Sequence, residues 1–230
     1  MAAALLLAVG LAALLGSARA TGATTPTVRV VGSGDIEWIT LPVRSRPSTS
    51  APVIAHIPQF RPDYRPNVVL ALAAEHANGK PSWYRISVPG RPNGRTGWIP
   101  AAAVTLHPMH WQIVIFRGAR KMELWKDGRL NYTTTVAVGR PGMETPLGTF
   151  YVTVRFHPVQ QTFLGVYAFE TSAYSKLSEW PGGGKVGIHG TYEPQLLGQA
   201  VSHGCVRMSN TAAAYLRDRI PVGTPIRILP

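Results

Sequence analysis

The chain has 230 residues, which is enough for two small domains, and its apolar fraction of 45% is ordinary for a soluble protein with a packed core. Its 23 lysines and arginines against 11 aspartates and glutamates give a net charge of +12. The basic residues are scattered and no nucleic-acid-reading motif is present, which argues against a nucleic-acid binder. A diffuse positive charge suits a protein held near a polyanionic cell wall, although solubility alone would also account for it.

Residues 1–20 have the pattern of a secretory signal peptide. The stretch from Met1 to Leu15 is almost wholly apolar, and the small residues Ala18 and Ala20 follow it, as a signal peptidase requires. The run of roughly 14 apolar residues is shorter than the about 20 of a membrane span. We therefore expect cleavage after about Ala20, export to the periplasm or cell wall, and no stable membrane span afterwards. A retained anchor is the alternative.

The segment 28–106, after a small and polar linker over residues 21–27, predicts short strands separated by turns. The predicted strands are Val53–Ile57, Val68–Ala73 and Trp83–Val88, with a hairpin turn at Asn78-Gly79. The stretches SWYRISVPG and GRTGWIPAAAV resemble bacterial SH3-like domains. The resemblance implies a small SH3-like β barrel, and an unrelated small β barrel is the alternative.

Residues 111–230 predict a second domain that is mainly β. One short helix is expected over Thr211–Arg219, with Asn210 as its N-cap. Asp127-Gly128 is typical of a tight hairpin turn. The predicted strands are Trp111–Phe116, Met122–Trp125, Leu130–Val138, Phe150–Phe156, Val166–Phe169 and Thr224–Leu229.

Cys205 is the single cysteine of the chain, so it cannot form an internal disulfide in an oxidising compartment. It is either an inert buried thiol or a functional one. Its neighbours favour function, because His203 lies two residues before it and His189 lies upstream between Gly187 and Gly190. Glycines allow the close backbone approach that a site with N–H groups around an oxyanion needs.

Cysteine-dependent acyl transfer requires a thiolate and a group that carries the proton. A thiol with an unperturbed pKa of about 8.5 is only about 3% ionised at pH 7. A histidinium neighbour can lower the pKa of a thiol to roughly 6. The sequence therefore predicts a histidine close to Cys205 that helps to ionise its thiol, with His203 and His189 as the two candidates. A zinc site formed by His189, His203 and Cys205 is the alternative that the spacing leaves open.

The stretches IHG, at His189, and SHGCVRM, at Cys205, resemble the signature of L,D-transpeptidases with a YkuD-type catalytic domain. ETPLGTF, from Glu144 to Phe150, is similar to the Thr-Pro-x-Gly-x-Phe/Tyr stretch of that family. The resemblance covers about residues 111–230 and implies a β-sandwich-like catalytic domain with a short helix. Thr145, Pro146 and Gly148 are expected to shape a turn rather than to contact substrate.

The resemblance also implies roles for single residues. Cys205 would be the nucleophile, His189 the proton donor and acceptor, and His203 a residue that shapes the site. Some family members carry a serine after the histidine that orients its ring; here that residue is Gly190, so only its carbonyl could do so. The implied oxyanion or substrate-binding residues are Gly204, Gly190, Arg207 and Ser202, with the Cys205 N–H as a further oxyanion donor. Arg207 could hold a substrate carboxylate, or it could be paired within the protein.

The function implied is a peptidoglycan L,D-transpeptidase that forms 3→3 cross-links between stem peptides through a cysteine thioester. No metal or organic cofactor is required, and carbapenems would acylate the same sulfur. Three alternatives stay open: an L,D-carboxypeptidase that trims stem tetrapeptides, attachment of a protein to the wall, and a non-catalytic wall-binding protein.

Overall fold

The computed structural model describes residues 26–159, 162–179 and 183–230. The predicted signal peptide, residues 1–20, and most of the predicted linker, 21–27, lie outside these ranges, so both stay predictions. Within the described part of the chain, no helix is long and apolar enough to cross a membrane.

The N-terminal part of the described chain forms one antiparallel sheet of seven strands. They are β1 Gly32–Ile36, β2 Thr40–Arg44, β3 Val53–Pro58, β4 Val68–Ala77, β5 Lys80–Ser87, β6 Thr96–Pro100 and β7 Val104–His107, with a 3-10 turn at Ala101–Ala103. Their order in the sheet is β3-β2-β6-β5-β4-β1-β7. Asn78 and Gly79 join β4 to β5 with φ values of 53° and 76°, as a two-residue hairpin requires. Leu41, Ile86 and Ile99 are fully buried in the core of this sheet.

The remaining strands build a curled, half-barrel sheet with one short helix. They are β8 Trp111–Phe116, β9 Lys121–Lys126, β10 Arg129–Thr135, β11 Val138–Gly139, β12 Gly148–Phe156, β13 Ala168–Tyr174, β14 Lys185–His189, β15 Ala200–Ser202, β16 Val206–Arg207 and β17 Pro225–Leu229; the helix is α1 Asn210–Arg217, and 3-10 turns lie at Thr162–Leu164 and Pro194–Leu196. Eight strands are ordered β10-β9-β8-β17-β12-β13-β14-β16, while β11 pairs with β15. The prediction of a mainly β protein with a short helix is confirmed. The SH3-like identity of the first sheet and the domain boundaries stay predictions.

The predicted strand Leu130–Val138 is two strands in the structure. β10 ends at Thr135, and Val138 belongs to β11, which pairs in parallel with β15. The reason is packing: Val136, Ala137 and Val138 are all buried, so they cannot alternate between a core face and a solvent face as one edge strand would. This break carries the chain from the edge of the large sheet toward the segment that contains Cys205.

The helix begins one residue earlier than predicted. Ser209 is the N-cap, and its side-chain oxygen accepts a hydrogen bond from the Ala212 N–H at 3.1 Å. Asn210, predicted as the cap, is the first helical residue, and its Oδ1 accepts from the Val166 N–H at 3.1 Å. The helix therefore also fixes the chain just before β13.

Polar contacts join the two sheets. The Arg61 guanidinium, after β3, donates from Nη1 to Glu170 Oε1 on β13 at 2.9 Å. The Asn93 side chain donates to the Tyr174 carbonyl at 2.7 Å and accepts from the Tyr174 N–H at 3.0 Å. The N-terminal sheet thus lies directly against the strand next to β14, which ends at His189.

Candidate active site

The pairing of β14 with β16 brings the upstream histidine beside the cysteine segment. The two strands run parallel, with Ile188 opposite Val206 and His189 opposite Arg207. The Met208 N–H donates to the His189 carbonyl at 2.8 Å and extends this register. The two sequence stretches singled out for chemistry are therefore neighbours in the sheet.

Cys205 Sγ lies against the backbone of β14. The Gly187 N–H donates to this sulfur at 3.3 Å. A Cβ placed on Gly187 would lie 3.8 Å from Cys205 Sγ and 3.7 Å from His189 Cδ2, the ring carbon bonded to Nε2. The sulfur and the Nε2 edge of the imidazole therefore flank the same side-chain-free position.

His189 is held in one tautomer by the residue that follows it. Its Nδ1 lies 2.7 Å from the Gly190 carbonyl oxygen, which can only accept a hydrogen bond, so Nδ1 carries the proton and Nε2 keeps its lone pair. This is the orienting contact expected for Gly190. A side chain at position 190 would collide with Asn210 Oδ1, which explains why glycine and not serine follows this histidine.

The pKa values of His189 and Cys205 are both shifted in the direction that favours the neutral form of the side chain. Burial lowers the pKa of His189 to about 4, and the nearby Arg207 charge acts in the same direction, while the Gly190 carbonyl opposes them. Burial also raises the pKa of the Cys205 thiol, against the smaller effects of the Gly187 N–H and Arg207. Burial therefore favours a neutral thiol beside a neutral imidazole, in contrast to the ionised thiol that a histidinium neighbour would produce.

The turn that carries Cys205 is built by Ser202. Its Oγ donates to the Cys205 carbonyl at 2.6 Å and accepts from the Gly204 N–H at 3.1 Å. Gly204 has a φ of 120°, and a Cβ there would lie 2.8 Å from Ser175 Cβ, so this position requires glycine. Since the turn interrupts the strand, Cys205 and His203 are not alternate residues of one extended strand.

Thr145 supports this turn from a distant part of the chain. Its buried hydroxyl donates to the Gly204 carbonyl at 2.9 Å and accepts from the Gly139 N–H at 2.9 Å. The expectation that Thr145 shapes the fold is met, but its contact with the cysteine turn was not foreseen. The feature of the sequence that points to this contact is the TPLG stretch, which begins with Thr145.

Other groups predicted to bind substrate or the oxyanion have partners within the protein. Arg207 Nη1 lies 3.0 Å from Glu193 Oε2, which favours the paired alternative for this arginine. The Gly190 N–H donates to the Tyr167 carbonyl at 3.0 Å. His203 is half-buried in the bend before Cys205. Among the described residues, no cluster of histidine, cysteine, aspartate or glutamate could hold a metal ion, so the geometry does not support the zinc alternative.

Comparison with known proteins identifies a family for the second sheet. The model of the L,D-transpeptidase catalytic domain, YkuD, matches residues 110–228. A putative L,D-transpeptidase YkuD from Bacillus subtilis is 33% identical over 118 residues, which are 51% of this chain and 65% of that protein. Its counterpart in Bacillus licheniformis is 32% identical over 120 residues, which are 52% and 66% of the two chains. The matched region thus spans slightly less than two thirds of either curated relative.

One solved structure with a similar fold is L,D-transpeptidase 3 from Mycobacterium tuberculosis in complex with a faropenem-derived adduct. It has 14% sequence identity and a TM-score of 0.47, and the match covers 88% of this chain and 97% of that one.

Proposed function

Since this chain belongs to the family of YkuD-type L,D-transpeptidase catalytic domains, we propose that it transfers acyl groups between peptidoglycan stem peptides through Cys205. One observation carries the proposal: the Cys205 sulfur and the Nε2 edge of His189 flank Gly187, whose N–H contacts the sulfur. A nucleophile and an oriented base beside the same glycine are the two groups that covalent acyl transfer needs.

The first step forms a thioester. The Cys205 Sγ–H bond breaks as His189 Nε2 takes the proton, and Sγ attacks the carbonyl carbon of the third stem residue. The C–N bond to the terminal D-alanine then breaks, and the proton passes from Nε2 to the leaving amine. The Gly190 carbonyl, which accepts from Nδ1, stabilises the imidazolium that exists between these two transfers.

The second step consumes the thioester. An amine of a neighbouring stem attacks the acyl carbon, and its proton goes to His189 Nε2. The C–S bond then breaks, and Sγ takes that proton back from Nε2. The product is a 3→3 cross-link.

The oxyanion of each tetrahedral intermediate needs backbone donors. Of the predicted donors, the Gly204 N–H is directed to Ser202 Oγ and the Gly190 N–H to the Tyr167 carbonyl. That leaves the N–H of Cys205 itself as the donor we propose. Ser202 and Gly204 then act by fixing the turn that aims this N–H.

The proposed substrate determines where the enzyme must act. Peptidoglycan lies outside the cytoplasmic membrane, so we propose an exported enzyme, in keeping with the predicted signal peptide over residues 1–20. We also propose that β-lactams of the penem and carbapenem classes acylate Cys205, because the sulfur that attacks the stem amide can open a β-lactam amide in the same way.

Product analysis on a defined disaccharide tetrapeptide tests the function. We expect a cross-linked dimer and released D-alanine from the full chain, and neither product from Cys205→Ala. Tripeptide without dimer would replace the transferase with a carboxypeptidase. Absence of any turnover by the wild-type protein would contradict both and favour a wall-binding protein.

A further inference from the structure

A cavity of about 810 Å³ lies between the two sheets, beside the turn that carries Cys205. The N-terminal part contributes the segment 91–93, and the catalytic part contributes Arg117, Glu144 and the segment 174–176 among its walls. Its volume is within the range of about 300–1,000 Å³ found for sites that take small ligands. The mechanism above does not use this cavity.

The walls of the cavity carry excess positive charge. Lys176 Nζ is paired with Glu144 Oε2 at 2.8 Å. Arg91 donates from Nη2 to three carbonyls, those of residues 175, 177 and 183, and Arg117 donates from Nη1 to the Thr145 carbonyl. Carbonyl groups satisfy N–H donors without neutralising the charge. Both guanidinium charges therefore lack a carboxylate partner among the described residues.

Two residues in the walls of the cavity, Ser175 and Pro146, link it to the turn that carries the nucleophile. Ser175 packs against Gly204, since a Cβ on that glycine would lie 2.8 Å from Ser175 Cβ. Pro146 follows Thr145, whose hydroxyl holds the Gly204 carbonyl at 2.9 Å. A ligand in the cavity would thus contact Ser175, which itself packs against the residue that immediately precedes Cys205.

We propose that this cavity binds a free side carboxylate of the stem peptide, with Arg91 of the N-terminal part and Arg117 of the catalytic part as the charged contacts. Guanidinium groups bind carboxylates through charge-assisted, often bidentate, hydrogen bonds. The inference rests on the proposed function for the identity of the peptide. It gives the N-terminal sheet a direct part in substrate binding, in addition to any role as a spacer.

The test measures binding to the full chain carrying Cys205→Ala, so that no turnover is needed. The two probes are a synthetic stem tetrapeptide with free side carboxylates and the same peptide with those carboxylates amidated. Arg91→Gln and Arg117→Gln should each weaken binding of the carboxylate peptide about tenfold and that of the amidated peptide less than twofold. Arg46→Gln, which removes an exposed charge in the turn after β2, is the matched control and should leave both affinities unchanged.

Glu144→Gln provides a test of opposite sign. It removes the single carboxylate among the cavity walls and keeps an oxygen to accept from the Gly142 N–H, so binding of the carboxylate peptide should tighten about threefold. Damage to the fold would not tighten binding. Equal affinity for the two probes, or no tightening in Glu144→Gln, would overturn the inference. Selective binding by Cys205→Ala combined with no turnover by the wild type would instead contradict the proposed function and leave this site intact.

Discussion

Cys205 and His189 lie where burial favours the uncharged form of each. The pKa of His189 falls to about 4 and that of the Cys205 thiol rises, so the proton stays on sulfur before substrate arrives. A resting ion pair would need the pKa of the imidazole to lie above that of the thiol. We infer that the proton moves during the attack, to the Nε2 lone pair that the Nδ1–Gly190 contact leaves available.

This arrangement predicts the acid limb of the pH–rate profile. His189 acts as a base only while neutral, and its pKa of about 4 means that acidification from pH 7 to pH 5 should leave the acylation rate nearly unchanged. The rate should fall as the pH drops through about 4. The second-order rate constant for acylation by a β-lactam, measured by stopped flow, reports the free enzyme. An acid limb near 6 to 7 would contradict a pKa of about 4 for His189.

Arg207 offers a check on the cause of that low pKa. Its charge is one of two influences that lower the pKa of His189, so Arg207→Gln should move the acid limb upward in pH. Arg46→Gln, an exposed site in the turn after β2, should leave the limb in place.

At the scale of elements, the Thr145 hydroxyl joins β11 to the turn between β15 and β16. This buried hydroxyl accepts a hydrogen bond from the Gly139 N–H and donates one to the Gly204 carbonyl. Ser202 holds the same turn from the other side through the Cys205 carbonyl and the Gly204 N–H. The backbone next to the nucleophile is therefore fixed by two hydroxyl groups.

Thr145→Val keeps the shape of the side chain and removes its hydroxyl. Two buried backbone groups lose their partner, so the free energy of unfolding should fall by about 3 kcal/mol, and acylation of Cys205 should slow because the turn is less fixed. Chemical denaturation and acylation rates measure the two effects. Thr133→Val, at an exposed position of β10, is the control and should change neither. Unchanged acylation in Thr145→Val would show that the hydroxyl does not position the turn.

The sequence patterns predict elements where local signals are strong. The apolar run Trp111–Phe116 is β8 with the predicted bounds, and Asp127-Gly128 forms the expected turn with both φ values positive. Ser209 and Asn210 are equally good caps by residue type, so the sequence cannot choose between them. The Thr145 contact joins residues 59 positions apart, which no local pattern encodes. The grouping of His189 with Cys205 was expected from the resemblance of IHG and SHGCVRM to a family signature, whereas the protonation of the two groups depends on burial, which only the fold reveals.

At the scale of the whole molecule, a charged network ties the N-terminal sheet to the strands of the site. Glu170 on β13 accepts from Arg61 at 2.9 Å and from Lys185 Nζ at 2.7 Å, and it lies opposite Gly187 in the register of β13 and β14. Burial alone would raise the pKa of Glu170, but Lys185 and Arg61 outweigh it and hold the pKa below its ordinary value. The N-terminal sheet thus contacts the strand pair that ends at His189, which is more than a spacer requires.

The central claim is that Cys205 is the acyl-accepting nucleophile, and intact mass after incubation with a carbapenem tests it most directly. The wild-type chain should gain the mass of one carbapenem, and peptide mapping should locate the adduct on the peptide that contains Cys205. Cys205→Ala should gain nothing under the same conditions. No mass increase on the wild type, or an equal increase on Cys205→Ala, would contradict the account.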